Sequence, residues 1–303
     1  MAEIRHTSNP GAVRVGVVFP QTEIGADRSA IEEYAFAVQE LGFKHILAYD
    51  HVLGADPQVH SPWRGPYDID TTFHEPLVLF GFLSALTNLE LVSGIIILPQ
   101  RQSALLAKQA AEVDLLCGGH LRLGVGLGWN PVEYQALGKS FSNRGARISE
   151  QVELMRALWT QRSVTFQGRF EQVSGAGICP APIQRPIPIW FGAMSEPALR
   201  RAGSIADGWF PRMPPGPELQ RSLAHLHQGA KAAGRDPKSI GIEGRITLHP
   251  SDPGSVVQQA LQWRQLEASH LCLSTMGLGL RAPQEHVALL AQASQALQDA
   301  GVM

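Results

Sequence analysis

The apolar positions of this chain follow two alternating periods. Short runs rich in β-branched and aromatic residues, at 15–19, 45–49, 89–98, 121–125, 187–191, 208–210, 240–248 and 270–273, predict strands. Between them lie longer segments with apolar residues at helical spacing. In 28–41, Ile31, Tyr34, Ala35 and Val38 share one face and Gly42 supplies the stop. The same pattern predicts helices over 75–86, 104–116, 144–159, 196–202, 218–233, 255–265 and 283–300. Strand and helix thus alternate through eight repeats. Parallel strands need a crossover of this kind, so the pattern predicts an α/β fold with a parallel sheet. Eight such units in this length favour a closed (β/α)8 TIM barrel over an open doubly wound sheet. The whole chain, 1–303, reads as a single barrel domain.

Two segments interrupt the rhythm. Residues 52–73 form a long insertion loop with several Pro and Gly, and carry Trp63 and Tyr67. Loops of that length in compact domains are usually functional or disordered. Residues 164–173, VTFQGRFEQV, predict a hairpin turning at Gln167-Gly168.

Composition narrows the functional classes. At 44% hydrophobic and 17% charged, the 303-residue chain is ordinary for a globular enzyme. A formal charge of −2 leaves no basic excess to neutralise a nucleic-acid backbone. No apolar run approaches the roughly 18 residues of a membrane span. The polar N-terminal residues and three widely spaced cysteines, Cys117, Cys179 and Cys272, fit a reducing cytoplasm. Each cysteine reads as a small buried apolar residue. His225 and His227 lie two apart on a helix and do not face the same way, so no metal site is expected.

In a (β/α)8 barrel the chemistry sits at the C-terminal ends of the strands. Asp50-His51, after the second strand, is the best proton-transfer pair there, because histidine titrates near neutrality and a carboxylate can orient it. The plainer alternative is a turn cap followed by a packed loop residue. Gly124-x-Gly126-x-Gly128 ends at Trp129 where a dinucleotide fingerprint would need a further glycine. It is either bare backbone for a flat ring or phosphate, or only a tight turn. Gly192-Ala193-Met194-Ser195 ends a strand and opens a helix, as a phosphate turn would. Ser195 can equally be a simple N-cap. No nucleophile elbow, Walker loop or Cys-x-x-Cys pair supports hydrolase chemistry.

Four collinear stretches carry a resemblance: ELGFKHILAYDH (40–51), LPQRQSALLAKQAAEVDLLCGGHLRLGVGLGWNPVEYQALG (98–138), RGARISEQVELMRALWT with the hairpin (144–173), and PIPIWFGAMSEPALRRAGSIADGWFP (186–211). In these the chain resembles the luciferase-like monooxygenase superfamily, and within it the coenzyme F420-dependent oxidoreductases. The resemblance implies a barrel that is usually a homodimer. It also implies a deazaflavin (F420) or, alternatively, FMN at the strand C-termini, acting on a small organic substrate. It places Asp50 and His51 beside the ring, His51 as the proton donor or acceptor. It makes Gly94 and Ile95 a bulge in the third strand, with a non-prolyl cis peptide between them. Gly126, Leu127 and Gly128 would run along the cofactor chain, and Gly192, Ala193, Met194 and Ser195 would contact its phosphate. Arg101, Arg144, Arg147 and Arg212 stand where the acidic tail of F420 could meet them. The sugar-phosphate dehydrogenases of the superfamily carry an acid where this chain has Trp129, which argues against sugar-phosphate oxidation. Phe19, Trp63, Tyr67 and Trp129 are expected to line an apolar substrate pocket, with ordinary packing as the alternative for Trp63 and Tyr67. Two other classes stay open: a non-catalytic flavin-binding or cofactor-free barrel, and an isomerase barrel without redox chemistry.

Overall fold

In the computed structural model, which describes residues 13–252 and 254–303, every strand of the main sheet runs parallel to its neighbours. The staves are β1 (Arg14–Val18), β2 (His45–Ala48), β3 (Glu90–Ser93) continued by β4 (Ile96–Ile97), β5 (Leu121–Gly126), β8 (Ile189–Gly192), β9 (Gly208–Phe210), β10 (Gly241–Thr247) and β11 (His270–Ser274). Nine strands make eight staves, because β3 and β4 are two halves of one stave broken at Gly94-Ile95. Pairing of β3 with both β2 and β5 closes the cylinder. The remaining strands, β6 (Val164–Gln167) and β7 (Gln172–Ala176), form a separate antiparallel hairpin.

The connecting helices are α1 (Arg28–Glu40), α2 (Pro76–Leu83), α3 (Ser103–Leu116), α4 (Pro131–Ala136), α5 (Arg144–Thr160), α6 (Glu196–Ile205), α7 (Pro217–Ala232), α8 (Ser255–Gln265) and α9 (Pro283–Asp299). Their apolar faces and the outward residues of the staves share one continuous core. Local chemistry sets the boundaries. Asp27 caps α1 by accepting from Ser29 N at 2.9 Å, and Glu75 caps α2 through Val78 N at 2.8 Å. The first helix face, Ile31, Tyr34, Ala35 and Val38, is buried as its spacing predicts. No helix is long and apolar enough to cross a membrane among the described residues.

The structure departs from the sequence expectations in four places. First, α4 lies where only a loop was expected, started by Asn130, which accepts from Val132 N at 3.0 Å, and by Pro131 in the first turn. Second, the hairpin turns over residues 168–171 rather than at Gln167-Gly168 alone. The carboxylate of Glu150 on α5 gathers the amides of Arg169, Phe170 and Glu171, and those donors need the longer turn. Third, the Gly94–Ile95 bond is trans; the cis bonds among the described residues all precede proline. A non-prolyl cis bond costs about 3 kcal/mol, and the break in the stave leaves Ile95 half-buried at the mouth without it. Fourth, only Cys272 is buried; Cys117 is half-buried and Cys179 is exposed, on the irregular segment before β8.

The inside of the barrel is layered, because alternate residues of each stave face the axis. The lower layer is charged. Arg122 pairs with Glu243 and with Glu90 (3.1 Å), and its guanidinium lies 4.4 Å from the Trp190 ring. The middle layer is apolar, built by Val18, Leu47, Val92, Trp190, Phe210 and Cys272. Above it lies the mouth.

Candidate active site

Register places the mouth residues. Tyr49 and His51 follow β2, Gly94 and Ile95 break the third stave, Gly126 ends β5 and Gly192 ends β8. Asp50 points away from the axis into the wall. It is 3% exposed, accepts from Ile97 N at 2.9 Å and pairs with Arg101 at 2.7 Å. Arg101 also holds Glu75 at 2.8 Å. Burial raises the Asp50 carboxyl above its ordinary value, against the pull of Arg101 and the Ile97 amide. Asp50 therefore clamps the third stave to the second, and among the described residues its carboxylate makes no hydrogen bond to the His51 ring.

His51 has a different carboxylate partner. Its Nδ1 lies 3.5 Å from Oε2 of Glu133, a fully buried residue on α4. Glu133 also accepts from Val52 N at 2.5 Å and Leu53 N at 3.3 Å, and from Gln100 Nε2 at 3.2 Å. Burial alone would raise its carboxyl, but the bonds from His51, Val52 and Gln100 outweigh burial and hold it below the ordinary value. Glu133 is thus an anion that fixes both the imidazole and the start of the 52–73 loop. With Nδ1–H turned to Glu133, Nε2 is left to exchange protons. Trp129, not an acid, stands directly after the β5 glycines. The site nevertheless holds a carboxylate, supplied by α4 four residues later. The Asn130-Pro131 start signal was the trace in the sequence that could have found it.

Aromatic rings frame His51. Phe73, Tyr67 and Trp129 stand edge-on to it at centroid distances of 4.7, 5.4 and 5.6 Å. Together with residues of the 52–73 loop they line a cavity of about 320 Å3 beside His51. Trp63 stacks behind Trp129 at 5.7 Å and donates Nε1 to the Tyr67 carbonyl at 3.1 Å, so it supports the cavity wall. Phe19 is fully buried against Tyr34 and His74, in the core rather than the cavity. Phe73, which the sequence did not single out, is the closest ring to His51 of the three.

The glycine turns lie across the mouth. A methyl group on Gly192 would meet Ile95 Cγ2 at 2.6 Å, and one on Gly126 would meet the same side chain at 3.0 Å. Ile95 therefore rests flat over two bare strands and forms an apolar bed. Gly128 has φ +63°, which glycine adopts without strain, and Tyr134 donates its hydroxyl to Leu127 O at 2.6 Å. In the third turn, Ala193 accepts from Trp209 Nε1 at 3.0 Å, Met194 is exposed, and Ser195 is the N-cap of α6 without a side-chain cap bond. The first turn of α6 offers the amides of Glu196 and Ala198 but none at Pro197, and Glu196 pairs its carboxylate with Arg200.

One trio among the described residues, His45, Glu243 and Cys272, has donor atoms near enough to hold a metal. It spans the charged lower layer and the apolar middle layer, away from His51. Burial pushes the Cys272 thiol well up, and Arg122 occupies the Glu243 carboxylate, so the trio works as part of an ion-pair network.

A histidine–carboxylate pair, a glycine-lined apolar bed and a helix terminus thus share one mouth of a parallel barrel. The family model for luciferase-like monooxygenases matches residues 12–300, and the chain belongs to that family. An uncharacterised protein of Mycobacterium tuberculosis is 38% identical over 164 residues, which cover 54% of this chain and 56% of that one. An F420-dependent glucose-6-phosphate dehydrogenase of Segniliparus rotundus is 30% identical over 249 residues, covering 78% and 70%. Among solved structures, an EDTA monooxygenase from a Chelativorans species superposes with a TM-score of 0.78 at 14% identity, covering 96% of this chain and 94% of that one. The last likeness is one of fold.

Proposed function

We propose that the chain is an oxidoreductase that moves a hydride between coenzyme F420 and a small organic substrate. The observation that carries this is the His51–Glu133 pair beside the Ile95 bed. The bed tests the fit: it is flat, apolar and backed by Gly126 and Gly192, where any Cβ would press on Ile95. Ile95 with Gly94 would support the ring, Gly126 to Gly128 would follow the side chain, and Gly192 to Ser195 would meet its phosphate. Relatedness to F420-dependent dehydrogenases over most of the chain supports the deazaflavin.

When bound, the deazaflavin would supply the two-electron acceptor or donor. The protein's part is proton management and exclusion of water. In the oxidative direction, Nε2 of His51 takes the hydroxyl proton as the adjacent C–H leaves as hydride, and Glu133 stabilises the imidazolium through Nδ1. In the reductive direction, His51 returns that proton to the carbonyl oxygen. The rings of Tyr67, Phe73 and Trp129 keep the cavity apolar. We also propose a homodimer, supported by the exposed apolar Val78 on α2 (72%) and Leu105 on α3 (53%); sedimentation tests it.

The bed accepts an isoalloxazine as readily as a deazaflavin, so an FMN-dependent two-component monooxygenase is the second reading. Titration of the apo-protein with each cofactor, followed by fluorescence, separates them. Tight binding of F420 with bleaching of its absorbance by an alcohol panel supports hydride transfer. Tight binding of FMN alone moves the reading to oxygen chemistry. Binding of neither above the micromolar range overturns both and leaves the cofactor-free barrel.

A further inference from the structure

Among the described residues, one guanidinium at the mouth has no carboxylate paired with it. Arg245 lies on β10 two residues beyond Glu243, so both face the barrel axis, with Arg245 nearer the mouth. Glu243 is taken by Arg122 from below. Among the described residues Arg245 makes no ion pair and no side-chain hydrogen bond, and its Nε is buried without a partner. Its guanidinium carbon lies 5.1 Å from the centre of the Tyr49 ring. Arg212, an exposed side chain just past the end of β9, which pairs with β10, makes no ion pair among the described residues. The acids on the opposite side of the mouth are committed: Asp50 and Glu75 to Arg101, Glu133 to His51. Among the described residues, the β9–β10 side of the mouth therefore carries two arginines without an ion-pair partner. Tyr67, which touches His51, is also within electrostatic reach of Arg245 and Tyr49.

A half-buried charge without a partner is costly, and such groups are kept where a ligand supplies the counter-charge. Arginine offers a planar fork matched to two oxygens of a carboxylate or phosphate. We infer that Arg245, with Tyr49 against it and Arg212 past the end of the neighbouring stave, binds an anionic group, carboxylate or phosphate, of the substrate. The anion would anchor one end of the substrate on β10 while its reacting carbon lies toward His51 across the mouth. The inference deepens the oxidoreductase reading by naming the substrate class, and it rests on that reading for the position of the reacting centre.

The test begins on the full chain without cofactor, using inorganic phosphate and acetate as probes and thermal melting as the readout. A saturable rise in Tm is expected for the wild type. Arg245→Met should weaken the apparent affinity at least tenfold, and Arg245→Lys should recover part of it. The absence of a saturable response to either anion, or an equal response in wild type and Arg245→Met, overturns the inference. If Arg245→Met does not fold, Arg212→Met and Arg245→Lys are compared in the same way, and unchanged affinity in both overturns it. A parallel cofactor titration decides the source of the anion. F420 binding within twofold of wild type in Arg245→Met supports a substrate group; a loss above tenfold assigns the anion to the cofactor and overturns the substrate assignment. Failure of F420 and FMN to bind the wild type, with anion protection intact, would count against the oxidoreductase reading alone.

Discussion

Nδ1 of His51 lies 3.5 Å from Oε2 of Glu133, and the other oxygen of that carboxylate receives the backbone amides of Val52 and Leu53. One side chain therefore sets both the imidazole and the root of the loop above it. Replacement of Glu133 by Gln keeps an acceptor for the amides but removes the charge that stabilises a protonated His51. The expected result is a turnover loss of about 10–100-fold with cofactor affinity little changed. Glu133→Ala should in addition speed amide exchange at Val52 and Leu53, measured by hydrogen exchange. Equal exchange in the Gln and Ala variants would show that the carboxylate does not anchor the loop.

Arg101 bridges Asp50 and Glu75. Arg101→Met leaves the Asp50 carboxylate buried with only the Ile97 amide to meet it. Stranding a buried charge typically costs about 3–5 kcal/mol, and urea unfolding should show a loss of that order. The double variant Arg101→Met with Asp50→Asn should recover part of the loss. An unchanged midpoint in the single variant would contradict the clamp.

Gly192→Ala tests the apolar bed. The added methyl would stand 2.6 Å from Ile95 Cγ2 and push that side chain toward the mouth. Cofactor affinity should fall at least about tenfold, a loss of about 1.4 kcal/mol. The thermal midpoint should move much less, because Ile95 is half-buried and can yield. A change in stability without a change in affinity would place the cofactor elsewhere.

Acid stability follows from the lower layer. Burial disfavours the charged Glu90, but Arg122 outweighs it and holds the carboxyl down at about 2. Glu243 is held down by Arg122 in the same way, and Glu133 by its hydrogen bonds. Each contributes stability that is present above the ordinary carboxylate value of 4.5 and is lost as pH falls through the folded value. His270 is driven well below 6.5 by burial and by Arg122, so its contribution is present above 6.5 and lost beneath it. Asp50, raised by burial, acts in the opposite direction. Tm should be level from pH 6.5 up to the ordinary thiol value of 9.0, decline below pH 6.5, and fall more steeply under pH 4.5. Glu90→Gln should lower Tm at pH 7 and flatten the slope under pH 4.5.

The barrel was legible because its signals are local and periodic. The face of α1, the cap at Asp27 and the apolar staves each report on neighbours within a few residues, and their alternation leaves few topologies open. Asp50-His51 and the glycine turns were legible as positions, since the fold sends strand ends to one mouth. Their partners were not. Glu133 reaches His51, Arg101 reaches Asp50 and Glu150 reaches the hairpin tip only through tertiary packing, which sets distances between residues far apart in the chain. The order of residues along the chain was enough to specify a parallel (β/α)8 barrel with a histidine just past its second strand. Packing in three dimensions settled that Glu133 rather than Asp50 faces that histidine, that Phe19 belongs to the core, and that Arg245 makes no ion pair among the described residues, because charge pairing and burial are properties of space and not of spacing.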